Sequence, residues 1–308
     1  MQIIGENIHI ISPKVKEGIA NRDGAFFVDL ARRQMQAGAW ALDLNIGPQK
    51  KAGVEVMNWL VDVMHEAVGT DVPLSLDTTN LAAIEAGLKK VPRGKAIVNS
   101  ISAQPERLAS LPPLLAQYGA QVIALTMGES GIPVSAESRV SIMLETLMPR
   151  LEEAGVPLED VIIDPLALTV SGCQEYVPQC IEAVRILKNA GLPCKVSVGL
   201  SNVSNAVPAA NRPLLNRVHM VQLMAAGLDM VIADPLDAEL AEFVRIVEQR
   251  DESTPLGKLL IKLYDRAAAV EELEPEDVDM NDPQQAAVWK TVRVLLNKTI
   301  YADSYLTI

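Results

Sequence analysis

Short runs of β-branched and aliphatic residues alternate, along almost the whole chain, with longer stretches whose apolar residues recur at helical spacing. The runs "QIIGE", "ALDLNIG", "VPLSLDT", "KAIVNS", "AQVIALTM", "DVIIDPL", "CKVSVGLS" and "LDMVIADP" predict eight strands. Between them, "FFVDLARRQMQAGA", "EVMNWLVDVMHEAV", "NLAAIEAGLKK" and "RVSIMLETLMPRLEEAG" read as helices, several with Gly near the exit. Eight β-then-α units fit an α/β fold of the (β/α)₈ TIM barrel type better than an open doubly wound sheet.

The polar positions follow a second rule. Each predicted strand ends on a polar residue: Glu6 and Asn7, Asn45, Asp77, Asn99, Thr126, Asp164, Ser201 and Asn202, and Asp234. In a barrel the eight carboxyl ends converge on one mouth, where this fold builds its active sites. Any single Asp or Asn there serves equally well as a helix cap or turn residue. In "LSLDTTN", Asp77 leaves the strand toward the mouth while Thr78, Thr79 or Asn80 caps the next helix.

Past the eighth strand, "LDAELAEFVRIVEQRDES" and "PLGKLLIKLYDRAAAVEEL" predict two helices. "EELEPEDVDMNDPQQ" follows as an acidic, Pro-interrupted connector without an apolar face, and reads as a solvated charge run. A last amphipathic segment, "AAVWKTVRVLLNKTIYADSYL", ends the pattern. Residues 250–290 are thus a helical and acidic elaboration of the last barrel unit, near the C-terminus of a single domain.

Composition narrows the chemistry. Hydrophobic residues make up 49% of the 308 residues and aromatics only 4%, which suits an aliphatic core of buried parallel strands. A formal charge of −12, with no basic stripe, argues against a nucleic-acid partner. No apolar stretch approaches about 18 residues, and "MQIIGENIHI" begins a strand at once, so neither a membrane span nor a signal peptide is expected and the expected location is cytoplasmic. Cys173, Cys180 and Cys194 form no C-x-x-C pair and are expected to be buried or bystander thiols. His9, His65 and His219 are scattered outside any metal-binding pattern, so no tightly bound metal is expected.

The predicted mouth carries carboxylates and carboxamides but no Ser-His-Asp grouping and no Gly-rich phosphate cradle. A glycosidase pair of Asp residues would want aromatic sugar platforms, and aromatics are few. Such a set does suit a flat, donor-rich heterocycle. A carboxylate accepts two parallel N–H bonds from an amino-substituted ring, and Asn supplies a donor and an acceptor for its neighbour. A pterin presents that edge.

The motifs "LSLDTTN", "IVNS", "VIIDPL" and "VGLSNVS…NRPLLNR", with "GEN" at the first strand and "LDLNIG" at the second, resemble the pterin-binding methyltransferases that exchange a methyl group between tetrahydrofolate and a corrinoid protein. The similarity runs over residues 1–245 and resumes at "LLNKTIYADSYL". Among that family it resembles the methyltetrahydrofolate:corrinoid/iron-sulfur protein methyltransferases of acetogens and the folate-side methyltransferases of anaerobic O-demethylase and betaine-demethylase systems. The resemblance implies one pterin-binding domain over residues 1–308, with methyltetrahydrofolate or tetrahydrofolate as substrate. It implies that Asp77, Asn99 and Asp164 hold the pterin ring, with Gly199, Ser201, Asn202, Met127 and Ile232 around it.

Asn202 is the catalytic candidate. N5 of methyltetrahydrofolate is a tertiary amine and leaves badly unless positive charge or a proton develops on it, and a positioned carboxamide stabilises that change without carrying the proton itself. Glu6, Asp43 and Asn45 either complete that network or bond to loop backbone. Arg212 and Arg217 either pair with carboxylates of folate or the partner, or anchor the loop to a neighbouring Asp. No D-x-H-x-x-G signature is present, so cobalamin is expected on a partner corrinoid protein. The family resemblance also suggests a homodimer. Dihydropteroate synthase shares the barrel, but the Ser-Arg-Lys run and Ser-x-Arg-x-His motif expected for it are replaced by "LSNVS" and "IADPLD". A non-catalytic folate-binding subunit is the remaining alternative.

Overall fold

The computed structural model describes residues 1–307 and forms a (β/α)₈ barrel. The strands are β1 (Gln2–Gly5), β2 (Ala41–Asn45), β3 (Leu74–Asp77), β4 (Ala96–Ser102), β5 (Gln121–Leu125), β6 (Val161–Asp164), β7 (Lys195–Val196) and β8 (Met230–Ala233). They pair in parallel in the order β7-β6-β5-β4-β3-β2-β1-β8. All eight predicted strands are found, each shorter than its apolar run except β4, which continues past "KAIVNS" to Ser102. Asn45, Asp77 and Asp164 are the last residues of their strands, so the polar positions stand at the carboxyl ends themselves.

Burial separates two apolar clusters. A small one, made of Ile4, Ala41, Ile97, Ile123, Ile162 and Met230, fills the barrel interior. The larger one lies between the strands and their covering helices and takes the alternate residues Leu42, Leu44, Leu74, Leu76, Val98, Val122, Ala124 and Val231. Period-two alternation therefore holds along the strands, although both faces are buried, until the register shift between Asn99 and Ile101 interrupts it in β4.

The seam that closes the barrel, between β7 and β8, is not a regular ladder. It is carried by Asp229 N–H to Val196 O at 3.1 Å, Ile232 N–H to Val198 O at 2.9 Å and a parallel bridge between Gly199 and Ile232. The Asp229 side chain adds what the ladder lacks. One oxygen accepts the Val196 N–H at 2.7 Å, and both oxygens take the Lys188 ammonium at 2.8 Å. Asp229 thereby satisfies a strand N–H that would otherwise be left without a partner at the end of the sheet.

The helical expectations hold with local differences. The stretch after β5 is continuous from Ala136 to Glu153 but widens into a π-helical turn at Ile142–Leu147, just before Pro149, which has no N–H to continue an α pattern. "NRPLLNR" opens the helix Arg212–Ala225, with Pro in its first turn, and is not part of the preceding loop. Helices Pro255–Ala268 and Pro283–Leu295 both pack on Arg212–Ala225, which explains why Leu215 and Val218 to Met224 are all buried. The acidic connector does have an apolar side: Leu273 and Val278 are buried, and the buried Asp277 carboxylate pairs with Lys262 at 2.6 Å and Arg266 at 3.2 Å. No helix among the described residues is long and apolar enough to cross a membrane.

Replacing Asp229 with Ala is expected to destabilise the protein by about 2 kcal/mol, the range for a lost charge-assisted hydrogen bond. Urea denaturation should show a lower midpoint with an unchanged slope. An unchanged midpoint would mean that the seam holds without this side chain.

Candidate functional site

Counting two residues along each strand from the interior apolar layer gives the next inward level. From Ile4, Ala41, Ile97, Ile123, Ile162 and Met230 the count reaches Glu6, Asp43, Asn99, Leu125, Asp164 and Ile232. Leu125 and Ile232 pack against the layer below, so the parity is physical. A further step reaches Asn45, Met127 and Asp234, with Asp77 paired beside Asn45 and Gly199 bridged to Ile232. The barrel interior is thus apolar at its base and polar toward the mouth. Thr126 is the exception among the predicted strand ends: it is fully buried, its hydroxyl has no partner among the described residues, and Leu125 and Met127 take the inward places.

On the β2–β4 side, Asp43 is buried and accepts the Ser75 hydroxyl at 2.5 Å and the Asn99 amide at 3.2 Å. Asn45 donates its side-chain amide to Asp77. Burial first, then the neighbouring Asp43 charge, pushes Asp77 well above the carboxylate range. Asp43 also moves up, again through burial, with the Ser75 and Asn99 bonds opposing. Asn80 accepts the Ala83 N–H at 3.2 Å and caps the next helix, leaving Asp77 free of that duty.

On the β6–β7 side, Asp164 is buried and is pushed up to about 7 by desolvation, against the N–H bonds of Leu166 (2.7 Å) and Gly199. Leu166 adopts a left-handed φ of 68°, held from behind by Arg139. The Arg139 guanidinium is fully buried and donates to the carbonyls of Pro133, Pro165 and Leu166 at 2.9 to 3.1 Å, which ties the loop after β5 to the loop after β6. Glu6 accepts the Ser201 hydroxyl at 3.0 Å and is pushed up to about 7 by burial, despite that bond. The charges of Asp234 and Asp43 add to the rise and Arg212 opposes it.

The loop after β7 winds into a 3₁₀ turn at Leu200–Ser204 that carries Ser201 and Asn202, both half-buried. Arg212 donates to Ser204 Oγ at 3.3 Å and braces this turn. Arg217 instead binds Asp237 and Glu239, the anchoring alternative. Asp234 accepts from the Asn7 amide and the Leu236 N–H, both at 2.8 Å, and acts as a turn residue.

Arg107 is a site residue that the sequence pattern did not reveal. From the helix Pro105–Tyr118 it turns back to donate to Ser100 O at 2.8 Å and reaches toward Thr78 and Thr79, where its charge faces Asp77. The signal was present in "QPER", a basic residue in the first turn, where the helix dipole disfavours a cation.

The remaining candidates lie apart from this cluster. His219 is fully buried and pushed down to about 3, which keeps its ring neutral, and His65 lies in the last turn of the helix Gly53–Val68. His9 accepts the Ile11 N–H at 3.1 Å within its own loop. All three cysteines are free thiols, with Cys180 pushed up to about 12 and Cys194 to about 11 by burial. Among the described residues no group of three or more His, Cys, Asp and Glu is placed to hold a metal ion. What the mouth offers is a set of carboxyl groups, four of them shifted upward mainly by burial, interleaved with carboxamides.

Comparison with known proteins gives this geometry a lineage. Relatives in sequence include the methionine synthases of Mycobacterium tuberculosis, 32% identical over 240 residues, and Mycobacterium leprae, 29% identical over 274 residues. These alignments cover 75% and 86% of this chain but only 20% and 22% of the relatives, so the chain spans about a fifth of their length. The methylcorrinoid:tetrahydrofolate methyltransferase of Eubacterium limosum is 28% identical over 244 residues, covering 78% of this chain and 87% of that protein. Among solved structures, Yersinia pestis DHPS with a pterine-sulfa conjugate superposes with a TM-score of 0.57 at 17% identity, over 80% of this chain and 94% of that one, a likeness of fold. The profile of the pterin binding enzymes matches residues 12–234, well over half the chain and nearly all of the barrel, and the chain belongs to that family.

Proposed function

We propose that the protein is a methyltransferase that moves a methyl group between N5 of methyltetrahydrofolate and the cobalt of a corrinoid carried by a partner protein, in anaerobic one-carbon metabolism. The observation that carries this reading is the presence at one barrel mouth of the half-buried Asp77 and the buried Asp164, both shifted upward by burial, with a half-buried carboxamide, Asn202, on the turn after β7. The Eubacterium limosum relative, similar in length, supports it by its name. O-demethylation as the source of the methyl group, and assembly as a homodimer, extend the proposal by family resemblance.

In this reading Asp77, Asn99 and Asp164 take the donor-rich edge of the pterin, while Met127 and Ile232 bound it with apolar surface. Ionised carboxylates accept its N–H groups, so binding favours the ionised form of groups whose affinity for a proton burial raises. Asn202 stands by N5. When the methyl group leaves, the electron pair of the broken C–N bond stays on N5, and a proton from solvent or through the Ser201–Glu6 bond neutralises it. An amide donor stabilises N5 as that change develops, and does so more in the transition state than in the bound substrate. The cobalt supplies the nucleophile in one direction and the methyl group in the other.

Anaerobic incubation of the protein with methyltetrahydrofolate and reduced free cobalamin, followed by absorbance, tests the reaction. Wild type is expected to form methylcobalamin, and Asn202→Ala to lower kcat by about 10² to 10³ with folate binding retained, the range for removal of one transition-state donor. Folate binding without turnover by wild type, with the native corrinoid partner supplied as well, would favour the binding-subunit alternative. Absence of folate binding would remove the pterin reading.

Proton linkage gives a second test. Asp164 and Glu6 bind protons in the folded protein up to about pH 7, well above their unfolded values, so this contribution to ligand-free stability is complete in acid and lost as pH rises through 7. The melting temperature of the ligand-free protein should fall between pH 5 and pH 8 on the order of a few degrees. Folate binding near pH 6.5 should release protons, measured by calorimetry in buffers of different ionisation enthalpy. Proton uptake would mean that the carboxyls meet the ligand in their neutral form.

A further inference from the structure

The Asn202 side-chain amide is gripped at one end only. Nδ2 of Asn205 donates to Asn202 Oδ1 at 3.2 Å, and the Asn205 backbone N–H reaches the Asn202 carbonyl at 3.2 Å. The Asn205 carbonyl in turn accepts the Thr169 hydroxyl, so the loop after β6 fixes where Asn205 stands. At the other end, Asn202 Nδ2 has no protein acceptor among the described residues and lies beside Gly199, where a Cβ would come within 2.8 Å of it. The Gly199 N–H in turn lies on the Asp164 side, where it opposes the rise of that carboxyl. A carboxamide has ends of opposite sense and nearly equal size, so shape alone does not choose between its two orientations.

We propose that Asn205 is a positioning residue: by giving Oδ1 a donor, it sets the Asn202 amide so that Nδ2 faces the Asp164 side of the mouth. This rests on the methyl-transfer reading, in which that donor meets N5. Gly199 is the complement, since any side chain there would displace the nitrogen. Asn205 is exposed and its bond competes with water, so losing it should cost a few-fold to about tenfold in rate, less than losing Asn202 itself.

The test compares Asn205→Asp, Asn205→Ala and Asn205→Gln with wild type in the methyl-transfer assay. Asp replaces the donor with an acceptor, attracts Nδ2 and turns the amide around; Ala leaves it free to rotate; Gln keeps a donor. The expected kcat falls about tenfold or more in Asn205→Asp and about three- to fivefold in Asn205→Ala, with partial recovery in Asn205→Gln and KM for methyltetrahydrofolate within about twofold of wild type. In an Asn202→Ala background, Asn205→Asp should have no further effect. The Asn202 side-chain NH₂ signals in a nitrogen-15 spectrum, identified by their loss in Asn202→Ala, should move in Asn205→Asp as Nδ2 gains a carboxylate acceptor.

Wild-type rates in Asn205→Asp beside a slow Asn202→Ala would overturn the role of Asn205 alone. A further loss in the Asn202→Ala background would place its effect in the fold and overturn it too, as would NH₂ signals that do not move. A full-rate Asn202→Ala variant would overturn the reading of Asn202 and this inference with it.

Discussion

The two-residue period of a β-strand places residues i, i+2 and i+4 on successive levels of a barrel interior, and with eight strands closed on one another those levels become shared layers. In this protein the lowest is aliphatic, from Ile4 round to Met230, and the level above it brings Glu6, Asp43, Asn99 and Asp164 onto an apolar floor. The chemistry of the mouth is a consequence of that stacking. Closure at β7 and β8 keeps the layers in register, and there Asp229 replaces part of the ladder with a side chain.

Acidic side chains on such a floor repel one another and lose their water, and both effects favour the proton-bound form. Hydrogen bonds from Ser75, Asn99, Ser201 and the backbone offset only part of that cost. The mouth therefore suits a ligand that brings N–H groups, which would do for the carboxylates what water no longer does. A chain with a formal charge of −12 has no general attraction for anions, so local donors and not overall charge must select what enters.

The architecture was legible because its signal repeats: eight apolar runs, each followed by a polar residue, are difficult to arrange any other way. The inward placement of Asp43, Met127 and Ile232 follows from the same parity once strand registers are known. What escaped lay in loops and packing. Thr126 looked like its counterparts but falls out of phase with Leu125, and Arg107 acts by folding back from the next helix onto loop carbonyls. Asn205 left one trace, a second Asn three residues after Asn202, whose meaning depends on the intervening turn being 3₁₀. The acidic connector misled because its two buried apolar residues, Leu273 and Val278, are too far apart to show a periodic face.

The segment from Thr299 to Asp303 is stitched into the mouth loops. Gln174 donates to Val294 O and Thr299 O at 2.7 Å and accepts the Tyr301 N–H at 2.8 Å, while Asn211, at the end of the loop after β7, donates to Asp303 O at 2.7 Å. Synthesis delivers the chain from its amino end, and domains fold as they emerge. The first six strands can be paired long before these contacts exist. Until the ribosome has released residues 299–303, the loops after β6 and β7 lack their outer braces, so the pocket reaches its final form only when translation of this region is complete.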